Sequence, residues 1–244
     1  MTDQIQDLKI ENKNLKNEIN LLTGWISLIS HDTKQMFSSL KWIIDAYESE
    51  IITEDDFFKM LPQIKTDANK NLQTAIDTGE WLKTQYGNFQ PKQDILIAKP
   101  LFEELRETFE DKLKKKDIFL GFTGNANLQI VSSKVLITFI LNKLLDNAIK
   151  YSNVGQEIIF TAVEEANEIV LSVTDFGTGI PEKYLNSIFK FENPVFHGTA
   201  GEIGAGLSLK IVQSFVFLAN GTIEMDSLEN KGTKVTIRLP QIDK

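Results

Sequence analysis

The chain of 244 residues contains no cysteine. That excludes disulfide bridges and thiolate metal centres, and it agrees with a reducing, cytoplasmic setting. No apolar run approaches the ~20 residues needed to span a bilayer. No secretory leader is visible at Met1, so the expectation is a soluble protein or the cytoplasmic portion of a longer one, with no membrane segment in this chain. Basic charge is not in excess. Lys and Arg number 26 against 34 Asp and Glu, for a net charge of -8, which argues against a general nucleic-acid binder. Neither an internal repeat nor a low-complexity tract is present. The length suffices for two small domains.

Residues 1–50 read as one long helix. Ile5, Asn12, Ile19, Ile26, Thr33 and Leu40 take one seam position of a heptad pattern, and Leu8, Leu15, Leu22, Ile29, Met36 and Ile43 take the other. Sustained 3–4 spacing predicts a coiled coil, and Asn12 at an a position is the register-fixing residue of a parallel homodimer. His31 falls at an f position, away from the seam, where packing gives it no reason to be. Asp32 follows directly, and a carboxylate beside an imidazole can hold its tautomer and accept its proton. After His31 the apolar face widens through Phe37, Leu40, Trp42, Ile43, Ile44 and Tyr47, which predicts burial against more than one helix.

Thr53-Glu54-Asp55-Asp56 reads as a capping-box-like start with acidic residues in the first turn. A second helix is expected from there to about Gln85, with Leu61, Ile64, Ala68, Leu72, Ala75 and Leu82 as its core face. Pro62 should kink it or mark its true start. Two helices per chain, dimerised, predict a four-helix bundle. Gly87-Asn88-Phe89-Gln90-Pro91 breaks the pattern. The expected domains are therefore 1–90, a coiled coil and helical hairpin, and 91–244.

Residues 92–244 alternate strand and helix signals. Strands are expected at 95–97, 118–122, 128–131, 158–163, 169–174, 222–226 and 234–239. Helices are expected at 101–116, from Ser133 through Asn147, and at 207–218. The 158–163 and 169–174 strands should form a hairpin around Asn167. The fold class is α+β: a helical hairpin, then an α/β sandwich with helices on one face of a mixed sheet.

The organising stretch is Asn142 to Ser152, NKLLDNAIKYS. Leu141, Leu144, Leu145 and Ala148 share one helical face. Asn147 and Lys150 lie one turn apart on the same side. An amide oxygen is a hard ligand for Mg²⁺ and an ammonium is a point charge for phosphate, so this pair suits a magnesium nucleotide. On its own the stretch is equally an ordinary core helix. Two glycine-bearing segments shift the balance: Asp175-Phe176-Gly177-Thr178-Gly179 and Gly204-Ala205-Gly206-Leu207. A buried carboxylate can accept the exocyclic amine of adenine. Glycines let backbone approach a ligand, and helix N-termini favour phosphate.

The order Asn147, Asp175-x-Gly177-x-Gly179, Phe189-x-Phe191, Gly204-x-Gly206-Leu207, Gly232-Thr233 resembles the N, G1, F, G2 and G3 boxes of bacterial sensor histidine kinases. Ser30-His31-Asp32 resembles their phosphoacceptor box. The resemblance runs from about His31 to the end. It implies a homodimeric kinase of two-component signalling, with a catalytic domain of the gyrase, MutL and histidine-kinase type. It implies that Asn147 ligates Mg²⁺, that Lys150 touches phosphate, and that Tyr151 lies near the nucleotide. Asp175 would accept from adenine with Thr233 close by, Gly177 and Gly179 would shape its pocket, and Gly204, Gly206 and Leu207 would close the phosphate end. Asn193 to Ile203 would be a lid, His197 within it a surface residue or a phosphate contact. His31 would be autophosphorylated from ATP with Asp32 as base, and would then pass the phosphoryl group to the receiver domain of a separate response regulator.

The chain departs from the family pattern in places. Lys143 stands where an Asn is usual, four residues before Asn147; it either adds a cation at the phosphates or removes a helper for Mg²⁺. The related gyrase- and MutL-type ATPases carry a water-activating Glu there, so its absence favours transfer to a protein group over hydrolysis. Met36 replaces a frequent Pro, and Ser208 replaces a common Gly. Gln35, four residues after His31, bears an amide that can orient water. An alternative reading is thus a nucleotide-binding module that acts mainly as a response-regulator phosphatase. The Asp-Phe-Gly string is not that of eukaryotic protein kinases, whose Gly-rich loop, strand lysine and HRD segment are missing.

Overall fold

The structure is a computed structural model and describes residues 33–34, 36–86, 92–185, 187–189, 198–202 and 208–241. The chain divides into two compact units, Met1–Glu80 and Trp81–Lys244. His31, Asp32, Gln35, the coiled-coil heptads before Thr33 and the break expected at 87–91 lie outside the described residues.

Helix α1 covers residues 36–48 in the first unit, and α2 covers Glu54–Tyr86, its last six residues counted with the second unit. Glu50, at φ 60, turns the chain between them. The start of α2 is a reciprocal cap. The Asp56 amide donates to Thr53 Oγ1 over 3.2 Å, and the Thr53 hydroxyl donates to Asp56 Oδ2 over 2.6 Å, satisfying donors that an unpaired helix end leaves open. Pro62 lies inside α2, so it does not mark the start. Ile43 and Ala46 are buried, and the Tyr47 and Phe57 rings meet at 5.0 Å. Of the expected core face, Leu61, Leu72 and Ala75 are exposed within the single chain, as are Phe37, Trp42 and Phe58.

The second unit is built on a five-stranded mixed sheet of order β2-β4-β5-β7-β6. Its strands are β2 (Phe119–Gly124), β4 (Glu157–Glu165), β5 (Glu168–Asp175), β6 (Thr222–Leu228) and β7 (Gly232–Pro240). β2 and β4 run parallel and the remaining pairs antiparallel. A separate antiparallel pair joins β1 (Asp94–Ile97) and β3 (Gln129–Ser132). The β4–β5 hairpin turns at Ala166 and Asn167, both at positive φ (48 and 68), as a tight two-residue turn requires. Its register sets Ile158 opposite Asp175.

The single helix expected over 101–116 is two: α3 (Ala98–Thr108) and α4 (Glu110–Lys115), separated at Phe109, whose φ of -106 and ψ of 8 leave the helical range. Helix α5 (Lys134–Tyr151) carries buried Leu136, Ile137, Ile140, Leu141, Leu144, Leu145, Ala148 and Ile149. Each buried Leu and Ile side chain contributes about 1.5–3 kcal/mol on leaving water. They hold α5 against β5 and against α7 (Ser208–Leu218), where Phe139 and Phe215 meet at 4.4 Å. A short α6 (Glu182–Leu185) has no counterpart in the sequence pattern. Among the described residues no helix is long and apolar enough to cross a membrane.

Candidate functional site

Asp175 ends the central strand β5 and pairs in register with Thr233 on β7. It is 7% exposed. Its Oδ1 accepts from the amides of Gly177 (3.0 Å) and Thr233 (3.3 Å). Burial pushes the carboxyl up to about 6 against the opposing pull of those two amides. Both bonds fall on Oδ1, so among the described residues Oδ2 is the oxygen left for an outside donor.

The loop after Asp175 passes so close to its neighbours that side chains do not fit. A Cβ on Gly177 would sit 2.1 Å from the Tyr151 carbonyl oxygen, and one on Gly179, at φ +60, would sit 2.0 Å from that of Leu228. Backbone bonds lace the loop in place: Thr178 N to Tyr151 O at 3.1 Å and Asn230 N to Thr178 O at 2.7 Å. The Ile180 amide donates to Ser227 Oγ, which shares a 2.8 Å hydrogen bond with Thr233 Oγ1. Asp175, Gly177, Gly179 and Thr233 are thus brought together with the C-terminal end of α5.

On that helix Asn147 is half-buried, and its Oδ1 accepts from Ser208 Oγ at 3.4 Å. Lys150 Nζ lies 4.8 Å from the centre of the Tyr151 ring. Burial, then the carboxylates of Glu202 and Asp146, push the Tyr151 hydroxyl up to about 12, so it stays a neutral phenol. Lys143 Nζ stands 5.4 Å from the Phe139 ring centre. The described residues contain no cluster of three His, Cys, Asp or Glu able to cage a metal. Mg²⁺ does not ask for one: it keeps several waters and takes one or two protein oxygens plus phosphate. The Asn147 amide oxygen fits that role. Gly204, Gly206, Leu207 and His197 lie outside the described residues.

One residue that the motifs do not name stands at the same helix end. Lys116 is buried at 5% exposure. Its Nζ donates to the carbonyls of Ile149 (2.9 Å), Lys150 (2.9 Å) and Ser152 (3.4 Å) and to Thr199 Oγ1 (2.9 Å), and it pairs with Glu202 Oε1 at 2.7 Å. Within Lys112–Lys116 it reads as part of a solvated basic run. The available signal is phase, since Lys116 continues the spacing of the buried Leu105, Phe109 and Leu113.

Residues 133–243 match the family model of histidine kinase-, DNA gyrase B-, and HSP90-like ATPases. The match lies within the second unit. Sensor protein SrrB of Staphylococcus aureus (strain NCTC 8325 / PS 47) is 27% identical over 238 residues, covering 94% of this chain and 40% of that protein. The chain spans about two-fifths of the length of the curated relatives it matches. Among solved structures, the Acinetobacter baumannii histidine kinase AdeS superposes with a TM-score of 0.68 at 18% identity, covering 87% of this chain and 98% of that one. Histidine kinase ThkA, solved in complex with the response regulator protein TrrA, gives 0.67 at 20%, covering 88% and 59%. Together these likenesses support a sensor histidine kinase catalytic domain within that ATPase family.

Proposed function

We propose that this chain is the kinase core of a two-component sensor, phosphorylating itself on His31 from ATP and passing the group to an aspartate of a separate response regulator. The observation that carries the reading is the buried Asp175 carboxylate. Two backbone amides fix its direction, in a glycine-laced loop against the end of the helix that bears Asn147 and Lys150. Asp175 would accept the adenine amine. Lys150 would lie at the phosphates, which Gly204, Gly206 and Leu207 would enclose from the start of α7. Bound Mg²⁺ would neutralise phosphate charge, held from the protein side by Asn147.

A His31 ring nitrogen attacks the γ-phosphorus, the bond to the ADP oxygen breaks, and Asp32 takes the imidazole proton. The rate gain comes from positioning and charge neutralisation. The apolar stripe left open on α1 and α2 supports a homodimeric bundle as the platform for His31, since a lone chain rarely exposes so much apolar surface without a partner. The likeness to ThkA, solved with its response regulator, supports a receiver domain as the acceptor.

The test is labelling of the full chain with γ-³²P-ATP, beside His31→Gln and Asn147→Asp. Acid-labile, base-stable label in the wild type, lost in both variants, is the expected result. An unlabelled wild type that binds Mg-ATP overturns the autokinase reading.

A further inference from the structure

Gly198–Glu202 lies within the stretch whose composition marks a lid, yet it is folded on itself and tied to α5. The amides of four successive residues are engaged: Gly198 N to Glu202 O (2.7 Å), Thr199 N to Lys150 O (3.0 Å), Ala200 N to Glu202 Oε2 (2.8 Å) and Gly201 N to Gly198 O (3.0 Å). The Thr199 hydroxyl donates to Ser152 O at 2.5 Å.

Lys116 stands at the centre of this arrangement. A lysine is almost never fully buried unless paired, and this ammonium faces five oxygens. The carbonyls of Ile149 and Lys150 belong to the last turn of α5, where the helix cannot satisfy them itself and its dipole is negative. A third carbonyl is that of Ser152, which caps the helix, and the remaining two partners, Thr199 Oγ1 and Glu202 Oε1, come from the tied segment. Burial pushes the Glu202 carboxyl up, but the Lys116 ammonium and the amides of Glu202 and Ala200 outweigh it and hold the group below the usual range. Lys116 therefore joins two things: the end of the helix that carries Asn147 and Lys150, and the segment that flanks them.

We propose that Lys116 and Glu202 are positioning residues for the nucleotide: they pin Gly198–Glu202 as a fixed post on the end of α5, beside Lys150 and Tyr151. The inference rests on the nucleotide reading of this domain. The main chain beside Lys150 is then already ordered before the nucleotide arrives. The ordering cost is met in advance, which appears as affinity.

The test uses the full chain, Mg-ATP, amide hydrogen exchange and calorimetry. The primary variant is Glu202→Ala, because the Glu202 side chain is 38% exposed and its loss leaves the core intact. In the nucleotide-free wild type the amides of 198–201 should be protected. In Glu202→Ala that protection should fall while the amides of the central sheet keep theirs, and the Kd for Mg-ATP should rise about tenfold, the scale of one charge-assisted hydrogen bond. Glu202→Gln keeps an acceptor for Lys116 and should recover part of the affinity. Lys116→Met, which also removes the bonds to the Ile149, Lys150 and Ser152 carbonyls and to Thr199 Oγ1, should weaken binding at least as much as Glu202→Ala.

Binding by Glu202→Ala as tight as wild type, or free exchange of 198–201 in the wild type, overturns the inference and leaves the nucleotide reading standing. A wild type that binds no Mg-ATP overturns that reading and this inference with it.

Discussion

The Thr233 amide donates to Asp175 Oδ1 across the β5–β7 pair at 3.3 Å, and the two residues are register partners. The direction of the carboxylate is therefore set by main chain on two sides, from Thr233 and from Gly177, and among the described residues by no side chain. This has consequences for substitution and for pH.

Asp175→Asn should abolish adenine binding without unfolding the domain. The one amide oxygen must take the two backbone N–H groups, which turns the NH₂ toward the ligand, donor against donor. A carboxyl raised from 3.8 to about 6 disfavours the folded anion by about 3 kcal/mol above pH 6. Protonation therefore favours the fold, and this group's penalty disappears as pH falls through 6 toward 4. Nucleotide affinity should run the other way, flat above pH 7 and falling below about 6 as the acceptor is lost. Calorimetric Kd and Tm from pH 5 to 8 check both. An Asn variant that binds ATP normally, or a wild-type affinity indifferent to pH 5.5, would sink the assignment of Asp175.

Gly177→Ala should be costly and Gly155→Ala cheap. The added methyl at Gly177 meets a backbone carbonyl at 2.1 Å, which cannot swing aside, so a loss of about 3 kcal/mol is expected. Gly155, unlike Gly177, has positive φ (78), but nothing lies within 4 Å of its Cβ position, so only conformational strain of about 1 kcal/mol remains. Urea midpoints of the two variants decide the matter; equal losses would mean that close packing is not what the Gly177 position requires.

Ser208→Ala removes the hydroxyl that reaches Asn147 Oδ1 at 3.4 Å. Partners that orient a ligating side chain tune metal affinity, and over this long contact an effect of about threefold is expected. A Mg²⁺ titration of ATP binding should show half-saturation shifted upward by that factor, with Tm unchanged. An unaltered midpoint would mean that Ser208 does not orient Asn147.

Most elements were legible because their signals are local. The capping box at Thr53 needs only residues three apart, and the β4–β5 hairpin only its alternation and the Asn167 turn. The split of 101–116 at Phe109 was not legible, because Phe109 is a buried core residue that carries no breaker chemistry. Pro62 misleads in the other direction: α2 begins eight residues earlier, at Glu54, because its cap is satisfied there and a proline eight residues in deletes only one internal hydrogen bond. The exposure of Leu61 and Leu72 follows from one chain having nothing to cover them.

The order of elements, the cysteine-free chemistry and the glycine-bearing segments around Asp175 are legible in the chain alone, because periodicity and backbone permissiveness are properties of neighbouring residues. Long-range packing sets the rest: β2 pairs parallel to β4, Thr233 orients Asp175, and Lys116 leaves the solvated face of its lysine run for five oxygens drawn from the end of α5, its cap Ser152 and Gly198–Glu202. Those contacts join residues 33 to 86 positions apart, and whether a charge at such a place is solvated or paired depends on which distant groups the core brings to meet it.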